Sequence, residues 1–148
     1  MSSHSRPRLG VAVLIYDHIG RILLGKRSKS PNYGLWIIPG GGIELGESWK
    51  TAAVRELREE TNLHLVLRDA NPKHILEIIN EDEHRVILVI EALMGVSPTY
   101  MHPSTAFVHG APSAASDLLE IAFFTKTQLP LEEISPGIQP ILSKIGWR

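Results

Sequence analysis

Three glutamates, Glu56, Glu59 and Glu60, stand close together in a stretch of good helix formers. At about 100° per residue, Glu56 and Glu60 fall roughly 40° apart on a helix surface, and Glu59 about 60° to the other side of Glu56. Three carboxylates would then share one narrow face. Charges that close repel, and they stay ionised together only beside cations or in full contact with water. Oxygen donors at this density suit a hard divalent ion such as Mg2+ or Mn2+. The competing reading is a solvated acidic helix face, with Arg55 and Arg58 as local compensation.

The helix that would carry these acids rests on Ala52, Ala53 and Leu57, with Gly46 and Ser48 near its start and Asn62 near its end. Asn tolerates the left-handed conformation that closes a helix. Just upstream, a short strand over residues 35–38 runs through Pro39 into Gly40, Gly41 and Gly42. Glycines let the backbone come close to a ligand, so their carbonyls can hold a metal and their amides can meet phosphate oxygens. Gly42 reads equally well as a tight turn with no ligand role.

The spacing joins these pieces. Gly41, five residues, Glu47, seven residues, then Arg55-Glu56-Leu57-Arg58-Glu59-Glu60-Thr61-Asn62-Leu63 resembles the signature of the Nudix hydrolases, G-x5-E-x7-R-E-U-x-E-E-x-G-U with U bulky and aliphatic. One fixed position departs: the family's late glycine is Asn62, the next-best residue for a left-handed cap. The resemblance implies an α/β Nudix fold, a mixed β-sheet sandwiched between α-helices. It also implies hydrolysis of a diphosphate linked to another moiety, usually a nucleoside, with Mg2+ or Mn2+ as cofactor. In that pattern Glu56 and Glu60 hold the metal, Glu59 is a ligand or the general base, and the Gly40 carbonyl is a ligand. Arg55 orients the carboxylates by bidentate pairing, and Glu47 assists from the helix start. The chemistry agrees, because a diphosphate is already anionic and its charge must be neutralised before water can attack.

A chain of 148 residues suits one domain over residues 1–148, with length enough for a real core. Fifteen Lys and Arg balance 16 Asp and Glu, a net charge of -1, and no basic block stands out. A nucleic-acid polymer is therefore not the expected partner; a small nucleotide is. With no cysteine, neither a disulfide framework nor a thiolate nucleophile is available. Residues 1–8 are polar, and no apolar run approaches the ~20 residues that span a bilayer. A cytoplasmic enzyme without a membrane partner is the simplest reading, and the resemblance points to a homodimer.

Residues 9–16, LGVAVLIY, form the kind of continuous apolar run that is buried on both faces of a sheet. A turn at Asp17-His18-Ile19-Gly20 leads to a returning strand over residues 21–25, followed by Lys26 and Arg27. Arg27 is the candidate for polyphosphate contact, with Gly41 and Gly42. Trp36, between Leu35 and Ile37, is expected in the core. Strands are expected over residues 63–67 and 75–79, then a hairpin tip at residues 81–84 and a strong strand over residues 85–93 whose Glu91 should meet solvent.

Residues 95–116 are rich in Pro, Ser, Thr and Ala and read as a long loop, placed to fold over the nucleoside end of a substrate. Its His102 and His109 lie too far apart for a zinc motif. A strand over residues 121–124 follows. In the Nudix pattern a carboxylate from this neighbourhood reaches the metals, and Glu120 is favoured over Asp117. Ser135-Pro136 then opens a helix with Ile138, Ile141, Leu142 and Ile145 on one face.

Subgroup marks narrow the expected substrate. The proline about fifteen residues past the box that marks many ADP-ribose hydrolases is missing, as is the tyrosine that marks dinucleoside polyphosphate hydrolases. Residues 23–47 look instead like the nucleoside-triphosphate pyrophosphohydrolases that clean nucleotide pools. Residues 30–36 are also similar to GDP-mannose hydrolases, whose signature is typically altered where this one keeps its acids. From a different class, a Nudix-like module that senses a nucleotide without turnover would usually lack one or more of those acids.

Overall fold

The computed structural model describes residues 6–95 and 101–147. Its strands are β1 (Arg8–Tyr16), β2 (Ile22–Arg27), β3 (Trp36–Ile37), β4 (Gly40–Gly42), β5 (His64–Val66), β6 (His74–Ile79), β7 (His84–Met94), β8 (Ala106–His109) and β9 (Leu118–Phe124). Two α-helices, α1 (Trp49–Thr61) and α2 (Gln139–Lys144), lie among short 3-10 segments. The central path of the sheet runs β3-β2-β1-β7-β8-β5, with β4 added to β1, β6 to β7 and β9 to β2. β1 pairs with β7 in parallel from Arg8 opposite Arg85 to Tyr16 opposite Leu93, and β7 with β8 in parallel, while the remaining pairs are antiparallel. The sheet is mixed, as expected.

Alternation along β1 explains its continuous apolar run. Val11, Val13 and Ile15 face a core completed by Ala52, Ala53 and Leu57 of α1. Ala12 and Leu14 face a second core closed by Ile138, Ile141 and Leu142. A strand covered by a helical layer on each side needs apolar residues at both parities. Trp36 lies in the second core, edge-on to Phe124 at 4.9 Å between ring centroids. No helix among the described residues is long and apolar enough to cross a membrane.

The structure corrects several sequence expectations. Residues 95–116 are not one long loop: Ala106–His109 is β8, which bridges β5 and β7 and buries Ala106 and Val108. Beyond it, Ser113 N–H donates to the Thr61 carbonyl and Ala115 N–H to that of Glu60, which ties the end of the segment to the end of α1. The part of that expected loop over residues 96–100, and the start of the polar stretch, residues 1–5, lie outside the described residues. Glu91 is no strand-end charge in open solvent; it lies inside β7 with His74 Nε2 at 2.6 Å from its carboxylate. Gly42, for which a tight turn is the alternative to a ligand role, belongs with Gly40 and Gly41 to a strand against β1.

Candidate functional site

Helix α1 is fixed at both ends by the residues that mark it. The Ser48 side chain accepts the Thr51 N–H at 3.1 Å, an N-cap. At the other end Asn62 takes φ 62°, and its N–H donates to the Arg58 carbonyl. With Ala52, Ala53 and Leu57 turned into the core, Glu56 and Glu60 reach β4, while Glu59 stays exposed beside Arg55. The glycines of β4 allow that approach. A Cβ on Gly40 would overlap the Val11 carbonyl, and one on Gly41 would collide with the Glu56 carboxylate, whereas Gly42 has open space.

Arg55 organises the outer part of the cluster. Its Nε donates to Glu47 Oε2 at 2.8 Å and its second terminal nitrogen to Glu47 Oε1 at 2.9 Å, a two-pronged pairing. Its first terminal nitrogen donates to Glu56 Oε1 at 2.9 Å and reaches Glu59 Oε2 at 3.4 Å, and the Gly42 carbonyl accepts a further bond at 3.1 Å. Those Arg55 hydrogen bonds pull the Glu47 pKa down to about 2. The same partners hold the guanidinium firmly protonated.

The inner part is different. Glu60 is only 2% exposed, and its carboxylate accepts the Gly40 N–H at 2.7 Å. Burial pushes its pKa up to about 8, against the lowering effect of that hydrogen bond and helped by the nearby charges of Glu56 and Asp117. Glu56 is also raised, by burial first.

A cavity of about 310 Å³ opens beside these acids. Glu56, Gly40, Gly41, Gly42, Arg27 and Asp117 all line it. Arg27 is braced there by its Nε donating to the Pro31 carbonyl at 2.7 Å. Asp117 pairs with Lys29 at 2.8 Å. Glu120 is exposed on β9 and does not line the cavity, so the structure brings Asp117 and not Glu120 towards the acids. Their positions explain the difference: Asp117 precedes the strand, where its backbone carbonyl accepts the Ser28 N–H, while Glu120 is already paired in register with Lys26. The cavity also takes in Arg8, Glu83 and Arg85, which the sequence did not single out, because only the parallel register of β1 and β7 puts them side by side.

The NUDIX domain model matches residues 6–144. The chain belongs to the Nudix family. A MutT NUDIX hydrolase from Burkholderia pseudomallei superposes with a TM-score of 0.77 at 26% identity, covering 95% of this chain and 99% of that one. The MutT protein from Methanosarcina mazei Go1, at 21% identity and a TM-score of 0.75 over 96% of this chain and 95% of its own, supports the Nudix fold alone. Curated relatives match over shorter stretches. The m7GpppN-mRNA hydrolase NUDT17 of Xenopus laevis is 49% identical over 59 residues, 38% of this chain and 20% of that protein. The RNA pyrophosphohydrolase of Erythrobacter litoralis is 39% identical over 64 residues, 43% of this chain and 39% of that protein. The matched stretch is thus well under half the length of either relative.

Nudix proteins imply a divalent ion, and the donor set of this Nudix chain fits one. Glu56, Glu59, Glu60 and the Gly40 carbonyl offer only oxygen, the preference of Mg2+ and Mn2+. Burial raises Glu56 and Glu60 together, so removal from water makes both anions costly, and the charge of Glu56 adds to the rise at Glu60. Among the described residues no three carboxylate or imidazole side chains converge on one point. Glu56 and Glu59 are instead turned to Arg55, and Glu60 to Gly40.

Proposed function

We propose that this Nudix chain is a pyrophosphohydrolase for a nucleoside 5′-triphosphate group, either free or at the 5′ end of a short RNA. Water adds to the α-phosphorus, the α–β anhydride bond breaks, and pyrophosphate leaves while the 5′-monophosphate stays on the nucleoside. The observation that carries this reading is the packing of the α1 carboxylates against glycine strand β4, at the mouth of a cavity of nucleotide size. The names of the RNA-directed relatives extend the substrate beyond the free nucleotide that charge balance alone suggests.

Glu56, Glu60, Glu59 and the Gly40 carbonyl would hold Mg2+ or Mn2+. When bound, such an ion offsets the charge of the diphosphate and lowers the pKa of water. The chain's own groups do the rest. Arg55 fixes the directions of Glu47 and Glu56, Arg27 meets phosphate oxygens, and the amides of Gly41 and Gly42 lie along the same wall of the cavity. Asp117 adds a carboxylate from outside the helix. A nucleotide-sugar substrate is the second reading, favoured by Pro31 and Asn32 of the GDP-mannose-like segment lining the cavity.

The test is a product assay with Mg2+ across nucleoside triphosphates, a 5′-triphosphorylated RNA and GDP-mannose. Pyrophosphate release that stops on adding EDTA is expected from the triphosphates. Undiminished release in EDTA would refute the metal-dependent reading, and turnover of GDP-mannose alone would move the assignment to nucleotide sugars.

A further inference from the structure

At the end of the cavity away from α1, two arginines stand on adjacent strands. Arg8 begins β1 and Arg85 lies directly opposite it in the parallel β1–β7 register. Both side chains leave the sheet on the face that carries Ala12 and Val89, and both line the cavity. Like charges placed opposite each other on neighbouring strands destabilise a sheet unless something answers them. Glu83 answers only one, with its carboxylate 3.2 Å from Arg85 Nε. Even there the geometry is poor for a hydrogen bond, and the buried Nε of Arg85 is without one. Among the described residues Arg8 takes part in no ion pair. Two guanidiniums thus line one cavity wall, and only Arg85 has a carboxylate beside it.

The spacing says what could use them. Gly41, against which Glu56 packs, pairs with Val11, three residues along β1 from Arg8. That is about 10 Å along a strand, with Glu56 on the α1 side of the sheet and the arginines on the opposite face, both bordering the one cavity. The cavity floor beside the arginines is apolar, with Gly10 on β1, Ile87 on β7 and, beyond Arg85, Ile78 on β6. A nucleoside lying over that floor, with its 5′-polyphosphate at the Gly41 end, would direct its far side to Arg8 and Arg85. Paired guanidiniums are suited to a phosphate, whose oxygens accept their forked donors.

We propose that Arg8 and Arg85 form a second anion subsite that takes a phosphate on the 3′ side of the bound nucleoside. Such a phosphate occurs as a 3′-monoester or as the diester to the next nucleotide of an RNA. The subsite would make this chain select between mononucleotides and substrates that continue beyond the first nucleoside. The inference rests on the nucleotide reading of the cavity, so its test measures binding and needs no turnover.

Dissociation constants would be measured by calorimetry with Mg2+ for the four nucleoside 5′-monophosphates, the matching 3′,5′-bisphosphates and the 5′-phosphorylated dinucleotides. The wild type is expected to favour the 3′-phosphorylated ligands at least about tenfold over the monophosphates. In Arg8→Gln, where the exposed side chain can be shortened without opening the core, and in Arg8→Gln with Arg85→Gln, that ratio should fall towards one. The preference should also shrink with added salt. If only the bisphosphates gain, the subsite reads a terminal monoester; if the dinucleotides gain as well, it accepts the RNA diester. A wild-type ratio of one, or a ratio unchanged in both variants, overturns the subsite. Failure of the wild type, folded by circular dichroism, to bind any of these nucleotides would instead strike the nucleotide reading itself.

Discussion

Glu47 and Glu60 belong to the same cluster and carry the same side chain, yet their proton affinities are driven in opposite directions. Glu47 is held by both prongs of the Arg55 guanidinium and by the Glu44 N–H, and its pKa falls to about 2. Glu60 is removed from water, with the Gly40 N–H on its carboxylate and the like charges of Glu56 and Asp117 nearby, and its pKa rises to about 8. The contrast divides the labour. A carboxylate locked as an anion is a fixed strut, whereas one whose charge is costly is available to a cation that can repay it.

The largest effect should come from deleting the charge at Glu60. Glu60→Gln keeps an oxygen for the Gly40 N–H, so the fold should survive, while turnover falls by at least about 10³-fold if the cation depends on this group. The same variant should remove a pH effect. A carboxylate whose folded pKa lies above its unfolded value binds more protons when folded, so its favourable contribution is present below about 4.5 and is lost as pH rises towards about 8. In EDTA the wild-type Tm should therefore decline across that window, and Glu60→Gln should flatten the decline. An unchanged slope would mean that Glu60 is not the group burdened by burial.

Next in size is the strut. Arg55→Ala should lower kcat about 10²-fold with the metal requirement intact, the scale expected when a group orients ligands without touching substrate. Arg55→Lys should recover little, because an ammonium lacks the fork that grips both Glu47 oxygens. Here the pH effect has the opposite sign. Glu47, with its lowered folded pKa, contributes stability above 4.5 that is lost as pH falls towards about 2. Acid melting curves of Arg55→Ala should lose that limb, and persistence of the wild-type acid profile would show that some other cation sets Glu47.

The acidic end of the site was legible in the sequence because it is contiguous. Gly40 to Glu60 needs only one glycine strand and one helix to assemble, and the helix period already places the carboxylates. The opposite end was not legible. Arg8 and Arg85 meet through a parallel register between distant strands, and no local pattern encodes that pairing. β8 was missed because four residues among prolines and serines give too short an alternation, although burial of Ala106 and Val108 follows it. Glu91 was misread because its partner His74 lies on β6, across the β6–β7 pair. Of the two acids the sequence offers near the last strand, Asp117 lines the cavity and the favoured Glu120 does not.

A smaller effect separates two adjacent glycines. Gly41→Ala would drive a methyl group into the Glu56 carboxylate, the far end of a flexible side chain that can swing aside. Stability should change little while kcat drops roughly tenfold through the displaced carboxylate. Gly42→Ala meets nothing within 4 Å and should leave kcat close to wild type. Equal losses at the two positions, measured side by side, would show that the sensitivity lies in the β4 backbone and not in the approach to Glu56.

The smallest effect concerns the end of the helix that carries Glu56, Glu59 and Glu60. Asn62 sits at φ 62°, where the family pattern has glycine, and its backbone N–H closes the last turn of α1 on the Arg58 carbonyl. Glycine enters that region without the Cβ penalty but loses more chain entropy on folding, and the two terms largely cancel. Asn62→Gly should therefore shift stability by only a few tenths of a kcal/mol and leave kcat unchanged, because none of the hydrogen bonds at the end of α1 uses the Asn62 side chain. Asn62→Val gives the contrast, since a β-branched residue at positive φ is strained and should unravel the last turn. That turn holds Glu60, so Asn62→Val should lower Tm and raise the Mg2+ concentration needed for half-maximal activity together. A fall in Tm without any change in the Mg2+ requirement would show that Glu60 is positioned by Gly40 and the β4 strand rather than by the helix cap.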